Sequence, residues 1–475
     1  MDLTLKDSLF GENIDKNKKA LIKDDKYKTA LYCQAIDKLN NDIKNKKVEF
    51  FSFSNAKDSQ KLEEKLVWYE INGTDGYYSK IVVTKATFFT SHYIGFYSTK
   101  IGNEAINIKV EPRFGNALLH YLLSYAYGVY LPKGFSSSSN KKAQSLWLIV
   151  FMWKALLQKA MTKNQIPKEY KKFSKNLHTF KGQLNISNHI KHNLFDQSRF
   201  YCGFRKLTMD TTINQTIRYT YRLLQKEYGH ILGGDIDEYD LMLQSFGVSN
   251  KEVNLKQIQN IRYSKLNFHY KKVMELSSLI IKKESKTSDI SSNSDDSFAY
   301  FVDIAELWEN YLLKVLQKGL PEYYYIYSPN EKVGVSLFAD GSRSIRPDII
   351  IEKNGKVIAI LDAKYKWYKK IGSTARDNAC VSRDDLYQMT AYLYHYGKES
   401  EKIVGLFISP VEQENNERKK REMPKKLNNN QNHEIGVLNL NIDKYKEENG
   451  KENFNYVDIK KEENSFIKKI LEKLK

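Results

Sequence analysis

Residues Arg346-Pro347-Asp348-Ile349-Ile350-Ile351-Glu352-Lys353-Asn354-Gly355-Lys356-Val357-Ile358-Ala359-Ile360-Leu361-Asp362-Ala363-Lys364 hold two apolar runs separated by Asn-Gly. Asn-Gly between Ile- and Val-rich runs predicts a β-hairpin, because both residues tolerate the positive φ of a tight turn. The strands read as fully buried, yet Asp348, Asp362 and Lys364 stand at their outer ends. Buried charges are costly unless they are paired or bind a metal, so these three need a reason to be there. Asp362 and Lys364, two apart, share a face of their strand. The register decides whether Asp348 joins them. A two-residue turn at Asn354-Gly355 sets Asp348 opposite Leu361, on the other face. A three-residue loop, Lys353-Asn354-Gly355, has its glycine in the left-handed position and sets Asp348 opposite Ile360, diagonal to Asp362. Diagonal partners lie roughly 7 Å apart at Cα, within reach of one shared cation. The three-residue loop is the expected register, because it makes a site.

Two carboxylates on adjacent strands form a hard, oxygen-rich pocket suited to Mg²⁺. Lys364 adds a positive charge that can orient a water or offset charge in a transition state. Two aspartates and a lysine without a catalytic histidine point to phosphodiester hydrolysis. The competing reading is a surface hairpin with charged edges, and aspartate beside a run of Ile argues against it. A helix near Arg383 is capped by Ser382, with Asp385 three residues on as in a capping box. Asp385, Gln388 and Tyr392 then share one face, and Leu386, Met389 and Leu393 form an apolar stripe. Spacing alone leaves Gln388 as either a contact to a water at the metal or to DNA backbone, or a solvated side chain. Glu309, in Leu307-Trp308-Glu309-Asn310-Tyr311, is the other inward-facing candidate, although most helix glutamates are exposed.

The rest of the chain frames this hairpin. With 475 residues and 41 % hydrophobic composition, it has material for two or three domains. Polar stretches at 136–140, 286–297 and 412–433 read as linkers or long loops. They divide the chain into an N-terminal α+β domain at 1–135, a mainly helical middle domain at 141–284, and an α/β domain at 298–475. Strands are expected at Ser79–Thr84, His92–Ser98, Ala105–Val110 and Lys402–Ser409. Helices are expected at Asn116–Tyr127, Leu146–Ala160, Ile213–Tyr228, Tyr270–Lys282, Phe301–Leu316, Asp384–Tyr396 and Ser465–Leu474. The longest apolar run, Leu146 to Trp153, is too short to cross a bilayer, and the first residues lack a signal-peptide layout. Cys33, Cys202 and Cys380 are too few and too scattered for a disulfide framework or a cysteine-rich zinc module. No membrane partner and a cytoplasmic location are expected. The 76 basic residues exceed the 57 acidic ones to give a net charge of +19. A polyanion such as nucleic acid is the usual partner of such a chain, although A/T-rich coding also raises lysine content. Each Gly-Lys pair (355–356, 397–398, 450–451) lacks the flanking Gly and Ser/Thr of a P-loop, so nucleotide hydrolysis is not expected of this chain.

Pro347-Asp348, Asp362-Ala363-Lys364 and Gln388 with Tyr392 resemble the PD-(D/E)xK nuclease motif. More narrowly, the chain resembles the McrC subunits of McrBC-type and LlaJI-type restriction systems. Ile108–Gly115, Phe180–Leu184, Phe200–Cys202, Met209–Asn214 and Trp308-Glu309 share in that likeness, which covers the last two thirds of the chain well and the first hundred residues poorly. The resemblance implies a C-terminal restriction-endonuclease-like domain, double-stranded DNA as substrate, and a McrB-like AAA+ GTPase ring as partner. That ring, contacted through the N-terminal region, would bind the GTP or ATP. The resemblance further implies that Asp348 and Asp362 are metal ligands, Lys364 the catalytic lysine and Gln388 an accessory helix residue, with Glu309 at the family's helix position. A self-sufficient nuclease and a non-catalytic adaptor that stimulates the ring are the alternatives.

Overall fold

The computed structural model describes residues 1–7, 26–51, 66–71, 86–127, 141–162, 166–196, 198–288, 298–329, 335–342, 344–365, 381–397, 402–411, 424–428, 430–443, 447–448, 451–452 and 456–474. The chain forms two compact units, one from Met1–Ala126 with Asn293–Lys475 and the other from Tyr127–Ser292. The N-terminal and C-terminal regions, read separately from sequence as 1–135 and 298–475, therefore fold together.

In the first region β1 (Asp2–Lys6), α1 (Lys26–Lys44), β2 (Glu49–Phe51), β3 (Val67–Ile71), β4 (Ala86–Thr90), β5 (Tyr93–Ile101) and β6 (Glu104–Glu111) precede α2 (Gly115–Tyr127). The strands expected at His92–Ser98 and Ala105–Val110 are β5 and β6, which pair antiparallel. The strand expected at Ser79–Thr84 and the cysteine at 380 lie outside the described residues. Along β6, Ile106, Ile108 and Val110 are buried while their neighbours are half-exposed, the period of two that places one face against a core. Helix α1 supplies Tyr32, Ala35, Ile36, Leu39 and Ile43 to that core at three- and four-residue spacing.

The second unit holds α3 (Lys141–Met161), β7 (Glu169–Leu177), β8 (Gln183–Leu184), α4 (Ile186–Asn193), β9 (Phe200–Thr208), α5 (Thr212–Leu232), α6 (Gly234–Ser245), α7 (Leu255–Gln259) and α8 (Lys271–Ser288). It is mainly helical as expected, with a three-stranded sheet in the order β7-β9-β8. The apolar run of α3 is its core, and Trp153 Nε1 donates to Ser277 Oγ of α8 at 2.8 Å. Met209–Asn214 is a structural joint. Thr211 caps α5, and the buried Asn214 donates through Nδ2 to Pro167 O and Met209 O at 3.0 and 2.7 Å. No helix among the described residues is long and apolar enough to cross a membrane.

The last region begins with β10 (Phe298–Asp303), where the sequence pattern placed the start of a helix at Phe301. Asp303 instead caps α9 (Ile304–Gly319), its Oδ1 accepting from Ala305 N and Glu306 N. Phe301 and Val302 stay extended because β10 pairs antiparallel with β5 and parallel with β2, giving a sheet ordered β1-β6-β5-β10-β2. This strand joins the two ends of the chain. After it come β11 (Tyr324–Tyr327), a small ribbon of β12 (Val335–Ser336) and β13 (Ser344–Ile345), β14 (Ile349–Lys353), β15 (Lys356–Ala363), α10 (Arg383–Tyr396), β16 (Val404–Val411), β17 (Lys425–Leu427), β18 (Asn430–Asn441) and α11 (Tyr456–Lys473). A mixed sheet runs β11-β14-β15-β16-β18-β17, with β15, β16 and β18 parallel and the outer pairs antiparallel. Helix α10 connects β15 to β16 and packs Met389 and Leu393 on the sheet. Gly405 of β16 permits that approach, since a Cβ there would lie 2.7 Å from Met389 Sδ. Buried Glu463 of α11 accepts from Tyr121 Oη of α2 at 2.6 Å and Tyr311 Oη of α9 at 3.0 Å.

Candidate active site

The hairpin of β14 and β15 turns through two residues, not the three expected. Asn354 and Gly355 have φ of 53° and 75°, the signature of a type I′ turn, and Lys353 pairs with Lys356. Farther along, Ile351 pairs with Ala359 and Ile349 with Leu361, so the ladder shifts by one and Ile358 is the extra residue of a β-bulge. One more step in this register sets Asp348 opposite Asp362. The two carboxylates thus share a face, as expected, but the shift comes from a bulge inside the strand. Nothing in Val357-Ile358-Ala359-Ile360 marks that bulge, because every residue there suits a regular strand equally.

Asp348 Oδ2 accepts from Ala363 N at 2.7 Å. Asp362 is 3 % exposed, and its Oδ2 lies 3.0 Å from Lys364 Nζ. Lys364 Nζ also lies 3.0 Å from Asp385 Oδ1 and donates to Gln388 Oε1 at 3.4 Å. Burial opposes the Lys364 ammonium, but Asp362 and Asp385 outweigh it and hold the lysine charged beyond its ordinary range. Burial, then Glu309 and Asp362, push the Asp348 carboxyl well above the usual carboxylate range. Glu309 of α9 is pushed up to about 8 by burial and by Asp303, Glu306 and Asp362. Carboxyls held this high mark a place where negative charge is crowded and a cation is favoured.

The structure therefore brings Asp348, Asp362 and Lys364 together and sets Gln388 at the ammonium. Glu309 enters through the field that it shares with Asp348 and Asp362. Asp385 is the addition. Its sequence signal was spent on capping: Ser382 Oγ does accept from Asp385 N at 3.1 Å, yet the Asp385 side chain also reaches Lys364. Tyr392 Oη donates to Arg346 O at 3.2 Å and ties α10 to the segment before β14. Among the described residues no three His, Cys, Asp or Glu side chains close on one point as a full metal cage. A Mg²⁺ site that uses one or two carboxylates, waters and substrate oxygens needs no such cage.

The order α9, β11, β14, β15, α10, β16 thus delivers two carboxylates and a lysine to one end of the interior strands β14 and β15. A chain of the half-complex from a tetradecameric assembly of Thermococcus gammatolerans McrB AAA+ hexamers with bound McrC shares this fold. That likeness covers 99 % of this chain and 100 % of the other at 18 % identity, with a TM-score of 0.56. A second structure, of the Thermococcus gammatolerans McrBC complex, matches at 17 % identity over 68 % of this chain and 89 % of the other, with a TM-score of 0.35. Comparison with curated proteins gave no match. The family profile described as McrBC 5-methylcytosine restriction system component matches residues 89–408, more than half of the sequence. This chain belongs to the family of McrBC restriction system components.

Proposed function

We propose that this chain is the Mg²⁺-dependent DNA endonuclease subunit of a nucleotide-driven restriction complex. It would cut phosphodiesters at a PD-(D/E)xK site and stimulate a McrB-like AAA+ partner. The observation behind this reading is the meeting of Asp348, Asp362 and a doubly paired Lys364 at the end of one hairpin. The donor set fits Mg²⁺: hard oxygens, a buried Asp362, and crowded carboxylates whose repulsion a dication relieves. Asp348 and Asp362 would hold the ion, which when bound activates water and offsets charge on the phosphate.

The remaining work belongs to the chain's own side chains. Lys364 stays charged and presents a fixed positive group where phosphate charge develops. Asp385 and Gln388 hold that ammonium in place, so it need not reorganise during reaction. Glu309, pushed up to about 8 by burial and its acidic neighbours, adds to the crowding that a dication would relieve. The absence of a P-loop in the sequence assigns nucleotide hydrolysis to another subunit. Fold likeness over the full length of a chain from an assembly of McrB hexamers with bound McrC supports a partner of that kind.

The test is DNA cleavage by the full-length chain, with and without the McrB-type subunit, its nucleotide and Mg²⁺. Cutting is expected only when all are present. Lys364→Ala in the full mixture is expected to lose on the order of a hundredfold in rate with DNA binding retained. Efficient cutting by the chain with Mg²⁺ alone would show a self-sufficient nuclease. Unaltered cutting by Lys364→Ala would remove the site.

A further inference from the structure

We propose that Arg113 is a positioning residue for Lys364, so that the N-terminal sheet completes the site on which the nuclease reading rests. A continuous line of contacts runs from the end of β1 to that lysine. Asp7, 1 % exposed, donates its N–H to Glu111 O at 2.8 Å. Its carboxylate accepts from Arg113 N and lies 3.7 Å from Arg113 Nε. The Arg113 guanidinium sits 5.0 Å from the ring centre of Phe114 and 4.9 Å from that of Tyr365. Its Nη2 donates to Tyr365 O.

Tyr365 directly follows Lys364. On the other side, Lys364 N donates to Ile408 O at 2.8 Å, the last link between β15 and β16. The backbone around Lys364 is thus pinned twice, by the sheet at its own nitrogen and by Arg113 at the next residue. The second pin acts just past the end of β15 at Ala363, on the residue that follows Lys364. A fixed Cα narrows the positions open to its ammonium, which meets Asp362 and Asp385 at 3.0 Å. Arginine suits this task because its planar fork can bond a carbonyl, face a carboxylate and lie flat on a ring at once. A bond needed only to neutralise Asp7 would have no reason to reach residue 365. The stretch Glu111-Pro112-Arg113-Phe114-Gly115, outside the nuclease hairpin, thereby acquires a role.

Single-turnover DNA cleavage by the full-length chain, assembled with the McrB-type subunit, tests this on Arg113→Ala, Arg113→Lys and Asp362→Ala. Arg113→Ala removes a positive charge beside the buried Asp7, so Arg113→Lys, which keeps the charge but loses the fork, is the deciding variant. Its maximal rate is expected to fall on the order of tenfold to a hundredfold. Its half-saturating DNA concentration and its stimulation of nucleotide turnover are expected to be unchanged, with Arg113→Ala lower still in rate if it folds. A folded Arg113→Lys with wild-type maximal rate would overturn the proposal, and so would a loss of cleavage and turnover in the same proportion, the mark of a structural role alone. Asp362→Ala separates the two claims. Cleavage retained there defeats the nuclease reading itself, whereas cleavage lost there and intact in Arg113→Lys defeats only the positioning role.

Discussion

Glu309 and Asp348 give the site its electrostatic signature, and that signature has a definite sign. Both carboxyls titrate higher in the folded chain than in an unfolded one, Glu309 at about 8 against 4.5. Between those values the folded state keeps a proton that the unfolded state has released, so stability falls as pH rises through this window. In EDTA the thermal midpoint should therefore decline from pH 5 to pH 8, and Glu309→Gln should flatten the decline. Mg²⁺ should raise the midpoint more at pH 8 than at pH 5, because its ligands must be deprotonated. A wild-type midpoint with the same pH slope as Glu309→Gln would contradict this electrostatic assignment. The three charged residues of the hairpin were legible because Asp and Lys at the ends of Ile-rich strands have no packing rationale. Their geometry was not. A two-residue turn with a bulge and a three-residue loop both bring Asp348 to the face of Asp362, and no residue type distinguishes them. Asp385 was legible as a helix-start residue, but its pairing with Lys364 depends on how α10 lies on the sheet.

Among the elements, β10 shows how a long-range partner overrides a local pattern. Phe301 and Val302 continue the amphipathic spacing of α9, so the sequence reads them as its first turn. In the fold, Phe301 pairs with Gly95 and Val302 with Ile94, which holds them extended. Gly95 is the tight point of this pairing, since a Cβ there would lie 2.2 Å from Tyr300 O and 2.9 Å from Phe301 Cα. Gly95→Ala should destabilise the chain by about 1–3 kcal/mol, the usual range for overpacking, as a lowered midpoint in urea. Gly229→Ala in α5 meets open space and should be neutral or stabilising by up to about 1 kcal/mol. Equal effects of the two substitutions would mean that β5 and β10 do not meet as described. The helices α2, α3, α5, α8 and α10 were legible because their apolar spacing repeats over several turns, although α3 starts five residues earlier and α8 ends six residues later than expected. Strand β7, Glu169–Leu177, was not expected. Its three lysines, Lys171, Lys172 and Lys175, leave no alternation of apolar and polar residues to read.

At the scale of the molecule, the two ends of the chain make one unit. Strand β10 lies between β5 and β2, Glu463 accepts from Tyr121, and Arg113 bonds Tyr365. None of these links has a local signature, which is why sequence divided 1–135 from 298–475. Polypeptides covering Met1–Ala126 and Asn293–Lys475, expressed together, should co-purify as one folded species. Asn293–Lys475 alone should be labile to protease, having lost the strand partners of β10 and the partners of Glu463 and Tyr365. An isolated Asn293–Lys475 as stable as the joint species would contradict the one-unit fold. The central claim is that Asp348, Asp362 and Lys364 perform phosphodiester cleavage while nucleotide hydrolysis resides in a partner. Asp362→Ala, assembled with the McrB-type subunit and assayed for DNA cleavage and nucleotide turnover in the same mixture, tests it most directly. Cleavage should be lost and turnover kept at the wild-type level, because the change removes a carboxylate without deleting packed apolar volume; cleavage at the wild-type rate would place the active site elsewhere.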